Sequence, residues 1–592
     1  MPGLTGFVFG FVLIVLFCLS LSDRCCARLN ALRPLRAAGD ALHRLARRRY
    51  WLLFALAMAA ALFLRLYRWP NLPAGAQCDE VMSGVDAYAL ALYGTDRFGT
   101  SLPAMLWGWG YGQQSAFLSY FSSLFLRFME PSLVALRLPM LLLALASLVV
   151  LWDFARRIAG RGYALIALWF CAVCPWHIML SRWSIDANTF SLMLLFSCDA
   201  LAAGLGRRPM LYVSMALFGL TMYTYGIAVY SVPVLLVALA AYLLLRGKVR
   251  PLQLLACVGI YLVVAGPLLM TMAVNTFGWE TMHLGPITMQ FFSESERKQD
   301  IIFFANEPFF QRLFGDLTQY LDNTLLQRGF AENFSVRGYH TLFTFSGPMM
   351  LLGGVLLWRQ RRTGMLRGEA CTADGLRVTE AYILLALMAS MFFAGLCTVG
   401  GHIWRINGSY FPLLLLACYA LRFICRRVRV FALPVALMYL VAAVGCGVTL
   451  FGERTLSDGN TVTTRYGETN ALIAARDLPF EHMYIRVGDD EDEFTAAELR
   501  VLYFHGITAA QWRGEEPLPS GKMYVDTYEF WGESDWAFEY DVEENAAYVL
   551  RPSDLETFDA EGFTLMRFYD GALAYPTQFM PQDLLTEGGD AS

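Results

Sequence analysis

Long apolar segments recur through the first 450 residues, and this feature most constrains the fold. Several approach the roughly 20 residues that an α-helix needs to cross a bilayer. Hydrophobic residues make up 57% of the 592 residues, and the mean hydropathy is +0.45. A chain this apolar is not a soluble enzyme. The sequence therefore predicts a polytopic α-helical membrane protein.

Clusters of Arg and Lys separate the apolar segments, and the positive-inside rule places these clusters in the cytoplasm. The first apolar run, 3–21, precedes the basic segment 24–49. We therefore expect a retained helix whose N-terminus lies outside, because a cleaved signal peptide has its charge before the apolar run. Alternation then predicts about twelve spans with both termini outside: 3–21, 50–66, 133–154, 163–179, 188–205, 209–225, 229–245, 252–273, 344–358, 379–399, 408–424 and 430–451.

This topology divides the chain into an additional helix with a basic cytoplasmic segment (1–49), a transmembrane domain (50–454) and a tail (455–592). The transmembrane domain has two long external loops, 67–132 and 275–343. In the first loop, residues 113–128 are apolar but short, which predicts a helix lying on the membrane surface. In the second loop, aromatic residues favour an ordered segment that skims the membrane: Phe303, Phe304, Phe309, Phe310 and Phe314.

The tail is acidic, since 28 of the 50 acidic residues but only 8 of the 46 basic ones follow Arg454. We expect a small α/β domain outside the cell, with helices at 469–476 and 496–504 and strands at 483–487 and 522–528. The acidic run 489–493 could bind calcium, although a solvated loop is the favoured interpretation. The basic residues lie in short loops at helix ends, so a nucleic-acid partner is not expected.

Unusual polar residues at helix ends all fall on the predicted outer side. An arginine binds phosphate through two hydrogen bonds, and a carboxylate can accept a proton from an attacking hydroxyl. Together they suit a reaction with a phosphate leaving group. The alternatives stay open: acids as turns or helix caps, arginines as lipid-headgroup anchors, and the histidine as a packed interfacial residue. Three loops contain these residues: Asp79, Glu80 and Asp96; His177, Arg182 and Asp186; His402, Arg405, Asn407 and Tyr410.

Several short motifs follow one another along the chain: Asp79-Glu80, 94–99, Leu102-Pro103, the amphipathic stretch 114–128, Arg137-Leu-Pro139, 175–178, Ser181-Arg182 with Asp186, and 223–226. Their order and spacing resemble glycosyltransferase family 39. That family has the GT-C fold and includes protein O-mannosyltransferases and bacterial lipid A aminoarabinose transferases. The resemblance covers roughly residues 50–450.

The resemblance implies an enzyme of the bacterial cytoplasmic membrane. It would take a sugar from a polyprenyl-phosphate carrier on the outer face and pass it to an acceptor, usually with inversion. Asp79 would be the catalytic base, with Glu80 as its rival, and Arg182 and Arg405 would bind the carrier phosphate. Some relatives bind a divalent metal near this site, but no ligand set in this sequence demands one. Further polar residues are expected at the donor site: His177, Asp186, Asp96 and Tyr410.

Two other functions stay open. A transporter or flippase of lipid-linked glycans would place polar residues or broken helices near the middle of the bilayer. Here the polar residues collect at one face. A non-catalytic protein of cell-envelope glycan assembly would use the acidic tail, and it would tolerate a change of Asp79.

Overall fold

The computed structural model describes residues 2–108, 113–293, 308–331, 333–367, 369–372, 375–398, 401–452, 465–532 and 542–580. Within these ranges, a helical membrane domain is followed by an α/β domain. The membrane domain contains α1 (Pro2–Leu21), α2 (Asp23–Ala31), α3 (Arg33–Arg48), α4 (Tyr50–Leu66), α5 (Cys78–Tyr93), α6 (Phe117–Leu126), α7 (Leu133–Ala159), α8 (Arg161–Val173), α9 (Pro175–Leu180), α10 (Asp186–Gly204), α11 (Arg208–Thr221), α12 (Ala228–Leu245), α13 (Pro251–Phe277), α14 (Phe309–Leu321), α15 (Gly347–Arg367), α16 (Val378–Cys397), α17 (Tyr410–Arg427) and α18 (Ala432–Phe451).

The described helices confirm the polytopic helical class. Eight of them are long and apolar enough to cross a membrane, and the bent pair α3–α4 would make a ninth. The predicted number of twelve is not established, because several predicted spans are short or interrupted. The span predicted at 163–179 divides into α8 and α9, since Pro175 begins the second helix. Proline lacks the N–H of a helix interior and is favoured in the first turn.

The first of the two loops predicted to be external, 67–132, contains two helices, α5 and α6, which pack against each other. α5 ends at Gly94, whose positive φ of 70° provides the left-handed turn that commonly terminates a helix. α6 confirms a helix inside the predicted stretch 113–128, and three of its aromatic rings form a row: Phe117, Phe121 and Phe125. Its position on the membrane surface stays a prediction.

The second loop predicted to be external, 275–343, contains a short hairpin of β1 (Met282–Leu284) and β2 (Ile287–Met289), followed by α14. α14 packs against α16 and leaves Phe310 and Phe314 largely exposed. An ordered aromatic segment is therefore present, although Phe303 and Phe304 lie outside the described residues. Contact of this segment with the membrane stays a prediction.

The C-terminal domain contains α19 (Tyr466–Ala475), α20 (Glu491–Phe504) and α21 (Ala509–Trp512). Its five strands are β3 (His482–Arg486), β4 (Tyr528–Trp531), β5 (Ala546–Leu550), β6 (Phe563–Phe568) and β7 (Gly571–Pro576). They form one sheet in the order β4-β3-β5-β7-β6. Strand β3 is parallel to its neighbours β4 and β5, and β7 is antiparallel to its neighbours β5 and β6. The α/β class of the tail is thus observed.

Two details of the tail differ from the prediction. The strand expected at 522–528 is wrong: 524–526 is a 3-10 turn, and β4 begins only at Tyr528, where pairing with Met483 of β3 starts. The acidic run 489–493 is largely exposed, as expected, but it forms the start of α20 instead of a loop: Asp490 caps this helix by accepting the Asp492 N–H. Within the same run, Glu493 pairs with two arginines, Arg465 and Arg551.

The C-terminal domain and the first external loop share one hydrophobic core. Val81 and Met82 of α5 are buried in the same cluster as Leu502 and Tyr503 of α20. The approach is close at Gly84, where an added Cβ would lie 2.8 Å from the Tyr503 ring. The α/β domain therefore packs directly against the helix that begins with the predicted acidic pair.

Candidate active site

The acidic pair occupies the first turn of α5. The Gln77 side chain accepts the N–H groups of Asp79 (2.6 Å) and Glu80 (3.1 Å), and the Glu80 carboxylate accepts the Gln77 N–H (3.2 Å). This reciprocal arrangement is a capping box with glutamine at the cap position. Because helix N–H groups at this end favour negative charge, both carboxylates are held in a stabilising position.

Glu80 is fully buried and forms an ion pair with buried Arg137 of α7. Its Oε1 accepts from Arg137 Nη2 at 2.7 Å, and its Oε2 accepts the Ser184 N–H at 2.9 Å. Arg137 also donates to the carbonyl oxygens of Pro73 (2.9 Å) and Gly75 (2.7 Å). This carboxylate therefore joins α5, α7 and the loop between α9 and α10, and both of its oxygens are occupied by protein donors.

Asp79 has a different environment from its neighbour. It is half-buried, and the Gln77 amide donates to its Oδ2 at 3.1 Å. Of the two acids, Asp79 is thus the one with access to solvent. Its partial exposure distinguishes it as the carboxylate that an incoming hydroxyl could reach.

Arg182 is fully buried, and its guanidinium is enclosed by backbone carbonyls. It donates to Leu72 O (2.7 Å), Tyr67 O (2.7 Å) and Leu64 O (2.9 Å), and it lies over the ring of Phe451. These contacts join the end of α4 to the turn before α5. They favour a structural role for Arg182 over both the predicted phosphate contact and a lipid-headgroup anchor, since either would need an accessible guanidinium.

His177 is also fully buried, between two polar partners. Its Nδ1 lies 2.7 Å from Arg65 Nη2, and its Nε2 lies 2.8 Å from Ser147 Oγ. An arginine can only donate. Nδ1 is therefore the acceptor of a neutral ring whose Nε2–H points to the serine. This geometry agrees with the alternative that His177 is a packed residue.

The two remaining acids stabilise local backbone. Asp186 begins α10, and its carboxylate accepts the Ala187 N–H at 2.6 Å. Asp96 is buried, and its Oδ1 accepts the N–H groups of Phe98 (3.0 Å) and Thr100 (2.8 Å) in the turn after α5. Both sets of contacts match the turn and cap alternative.

The three loops that contain the predicted polar residues converge, as the prediction required: 67–132, the loop between α9 and α10, and the loop before α17. Asn407 of the third loop accepts from Trp176 Nε1 (2.7 Å) and donates to Asn188 Oδ1 (3.1 Å), so it links the third loop to the second. Tyr410 is buried with its ring 5.2 Å from that of Trp176, whereas Arg405 is half-exposed. Arg405 is thus the more accessible of the two predicted phosphate-binding arginines.

Sequence reasoning assigned no role to a buried ion pair inside the first loop. Arg97 donates to Asp86 Oδ2 at 2.6 Å and to Trp107 O at 3.0 Å. Burial raises the pKa of Asp86 to about 6, while the adjacent Arg97 opposes that rise. The pair fastens α5 to the turn that follows it, and its sequence signal was an acid in the mainly apolar part of α5 that follows the first turn.

The C-terminal domain provides two more arginines that contact this loop. Arg500 Nε donates to Ala76 O at 3.2 Å, and Arg513 Nη1 donates to Arg97 O at 2.8 Å. Thr469 accepts the Ala76 N–H at 3.2 Å. The residues immediately before α5 are thus held from both domains, an arrangement that neither segment predicts by itself.

Metal binding at this site gains no support from the side chains. Within the described ranges, no group of three or more His, Cys, Asp and Glu residues could hold a metal ion. We therefore derive no step of a reaction through a metal.

Comparison with known families supports the resemblance. The family model described as dolichyl-phosphate-mannose-protein mannosyltransferase matches residues 113–275. This region includes Arg137, His177, Arg182 and Asp186. The match confirms the predicted resemblance to membrane glycosyltransferases. No curated protein sequence matches the chain.

Solved structures of two membrane glycosyltransferases are similar to this one. Archaeal oligosaccharyltransferase AglB from Archaeoglobus fulgidus, in complex with an inhibitory peptide and a dolichol-phosphate, has a TM-score of 0.43 and 12% identity, covering 76% of this chain and 64% of that chain. ArnT from Cupriavidus metallidurans, bound to undecaprenyl phosphate, has a TM-score of 0.49 and 14% identity, covering 90% of this chain and 100% of that chain. This chain thus spans less than two thirds of the archaeal protein.

Proposed function

We propose that the protein is an integral membrane glycosyltransferase that moves a sugar from a polyprenyl-phosphate carrier to an acceptor hydroxyl. The family match over 113–275 supports the reaction class. The observation that supports the site is the contrast within the acidic pair. Both Glu80 oxygens accept hydrogen bonds from buried protein groups, whereas Asp79 is partly exposed to solvent.

In this reaction Asp79 accepts the proton of the acceptor hydroxyl. The hydroxyl oxygen then forms a bond to the anomeric carbon of the sugar, while the bond from that carbon to the phosphate oxygen breaks. The electron pair of the broken bond leaves with the polyprenyl phosphate. Attack from the face opposite the phosphate inverts the anomeric configuration. Arg405 is assigned to the departing phosphate, because an arginine stabilises developing phosphate charge.

Arg182 is assigned a positioning role instead of the phosphate contact. Its hydrogen bonds to the carbonyls of Leu64, Tyr67 and Leu72 hold the chain that leads from α4 into α5. Through that chain, Arg182 sets the position of Asp79 without touching the substrate.

The catalytic assignment is tested with three matched variants that each remove one carboxylate from the same loop. Asp79→Asn should lower transfer by about 10²–10⁴-fold, the usual contribution of a general base, while binding of polyprenyl phosphate persists. Glu130→Gln is the control, since Glu130 is exposed and forms a surface ion pair with Arg476. Glu80→Gln tests the rival base.

Transfer is measured on the full chain in lipid nanodiscs with a panel of polyprenyl-phosphate-linked sugars. Transfer at the parent rate by Asp79→Asn would exclude the proposed mechanism and return the choice to transport or scaffold functions.

The site is proposed to face the outer side of the cytoplasmic membrane, as the Arg and Lys loops predict. Ser101 is exposed in the first loop and is suited to a cysteine probe. An impermeant thiol reagent applied to intact cells should label Ser101→Cys, in a background where the exposed Cys18 and Cys371 are replaced. If Ser101→Cys is labelled only after the cells are lysed, the first loop faces the cytoplasm and the proposed orientation is wrong.

A further inference from the structure

An apolar groove of about 280 Å³ lies in the membrane domain, away from the candidate active site. It forms because two consecutive helices do not pack along each other: α12 packs mainly against α16, whereas α13 packs against α11. Leu201, Leu211 and Met215 of α10 and α11 form its floor. Val237 and Leu262 on its two walls are 71% and 49% exposed, so the groove opens sideways toward lipid.

The groove is confined to one half of the bilayer. Along α12 it extends from Pro233 to Leu244, which is about 16 Å at the 1.5 Å rise of a helix. Half of a hydrocarbon core is about 15 Å thick. α10 begins with Asp186 at the level of the candidate site and ends at Gly204 beside the groove. The groove therefore lies in the leaflet opposite that site.

The rim of the groove is strongly cationic. Between residues 200 and 279 the sequence contains no Asp or Glu but five basic residues: Arg207, Arg208, Arg246, Lys248 and Arg250. Val249, which lines the groove, lies between two of them. The acid that precedes this region, Asp199, is 3.1 Å from Arg157 and is thus paired elsewhere.

We propose that this groove binds an anionic glycerophospholipid of the cytoplasmic leaflet, with one acyl chain between α12 and α13 and its phosphate at the basic rim. Apolar walls match the acyl chain, and the length of the groove matches one leaflet. The excess of basic over acidic residues in the segments that border the groove matches an anionic headgroup, because each Lys or Arg near a membrane surface favours anionic lipid. The bound lipid would fill the gap between two helices that lack direct packing.

The test is native mass spectrometry of the full chain, exchanged into detergent and titrated with phosphatidylglycerol or with phosphatidylcholine of the same acyl chains. The parent should retain one phosphatidylglycerol that phosphatidylcholine does not replace. The double variant Arg208→Gln/Lys248→Gln should weaken its retention by roughly tenfold or more, since two cations are removed. Both side chains are exposed, so this variant should fold.

Two further variants distinguish binding of the acyl chain in the groove from a nonspecific attraction of anionic lipid to basic residues. Ala240→Phe places a ring inside the groove and should abolish retention of the lipid. Arg47→Gln/Arg48→Gln removes two exposed cations of the same predicted leaflet and should leave retention unchanged. Equal binding of both lipids, equal losses in the two charge variants, or preferential displacement by polyprenyl phosphate would each overturn the proposal.

Discussion

Replacing Glu80 by glutamine should lower the free energy of unfolding. It should not remove a group that takes part in the reaction. Each Glu80 oxygen accepts two N–H donors: Oε1 from Arg137 Nη2 and Gln77 N, Oε2 from Ser184 N and more weakly from Arg137 Nε. The variant's amide nitrogen would replace one of these acceptors. Whichever way it points, two buried donors lose their acceptor, and the Arg137 cation loses its counter-charge.

The magnitude follows from those losses. A buried N–H left without an acceptor costs about 1–3 kcal/mol, and breaking a buried ion pair from one side costs about 3–5 kcal/mol. These terms overlap, so we expect Glu80→Gln to lower the free energy of unfolding by about 3–5 kcal/mol. The surface pair Glu130–Arg476 provides the control, because Glu130→Gln should cost at most about 1 kcal/mol.

A double-mutant cycle measures the coupling directly. Denaturant titrations in mixed micelles, followed by circular dichroism, would compare Glu80→Gln, Arg137→Met and the double variant with the parent. The double variant should be less destabilised than the sum of the two single changes, because it leaves no unpaired buried charge. The reasoning is refuted if Glu80→Gln keeps the parent's unfolding free energy and yet loses transfer, since Glu80 would then be the base.

Three other changes test the same region. Gly84→Val should destabilise the contact between α5 and α20, because even a Cβ lies 2.8 Å from the Tyr503 ring; limited proteolysis should then cut the C-terminal domain faster, and unchanged cleavage would contradict the shared core. Asp86 has its pKa raised by burial from 3.8 to about 6, so the folded state holds this proton to higher pH than the unfolded chain. The free energy of unfolding should therefore fall as the pH rises from about 4 to 6, and Asp86→Asn should flatten this pH dependence. An identical pH dependence in the variant would exclude Asp86 as its source. Arg182→Lys should lower thermal stability as much as Arg182→Met, because one ammonium cannot reach three diverging carbonyls. Full retention of stability by the lysine variant would instead favour a simple charge contact with phosphate.

The sequence predicted the local elements better than the site. The length of the apolar segments and the basic residues beside them indicated the membrane helices. In the tail, apolar residues spaced as in strands or helices indicated most of the secondary structure. The failures came from contacts between distant segments. The strand start at Tyr528 depends on pairing with Met483, and Pro175 divided a span that hydropathy alone reads as continuous.

The predicted site residues show the same limit. Their convergence followed from topology, but the role of Arg182 depends on three carbonyls more than 100 residues away that no motif reveals. Arg65 and Arg137, which bind His177 and Glu80, received no role in the sequence reasoning. A lone arginine within an apolar helix was the available signal for Arg65, since such a charge needs buried partners.

The core shared by α5 and the C-terminal domain also has a consequence for synthesis of the chain. Val81 and Met82 emerge from the ribosome more than 400 residues before their partners Leu502 and Tyr503. At about 5–20 residues per second, the apolar side of α5 is synthesised roughly 20–80 s before the C-terminal residues that bury it. A nascent chain halted within that interval would present an uncovered apolar helix beside the membrane. Synthesis of the C-terminal domain is therefore the event that buries this surface.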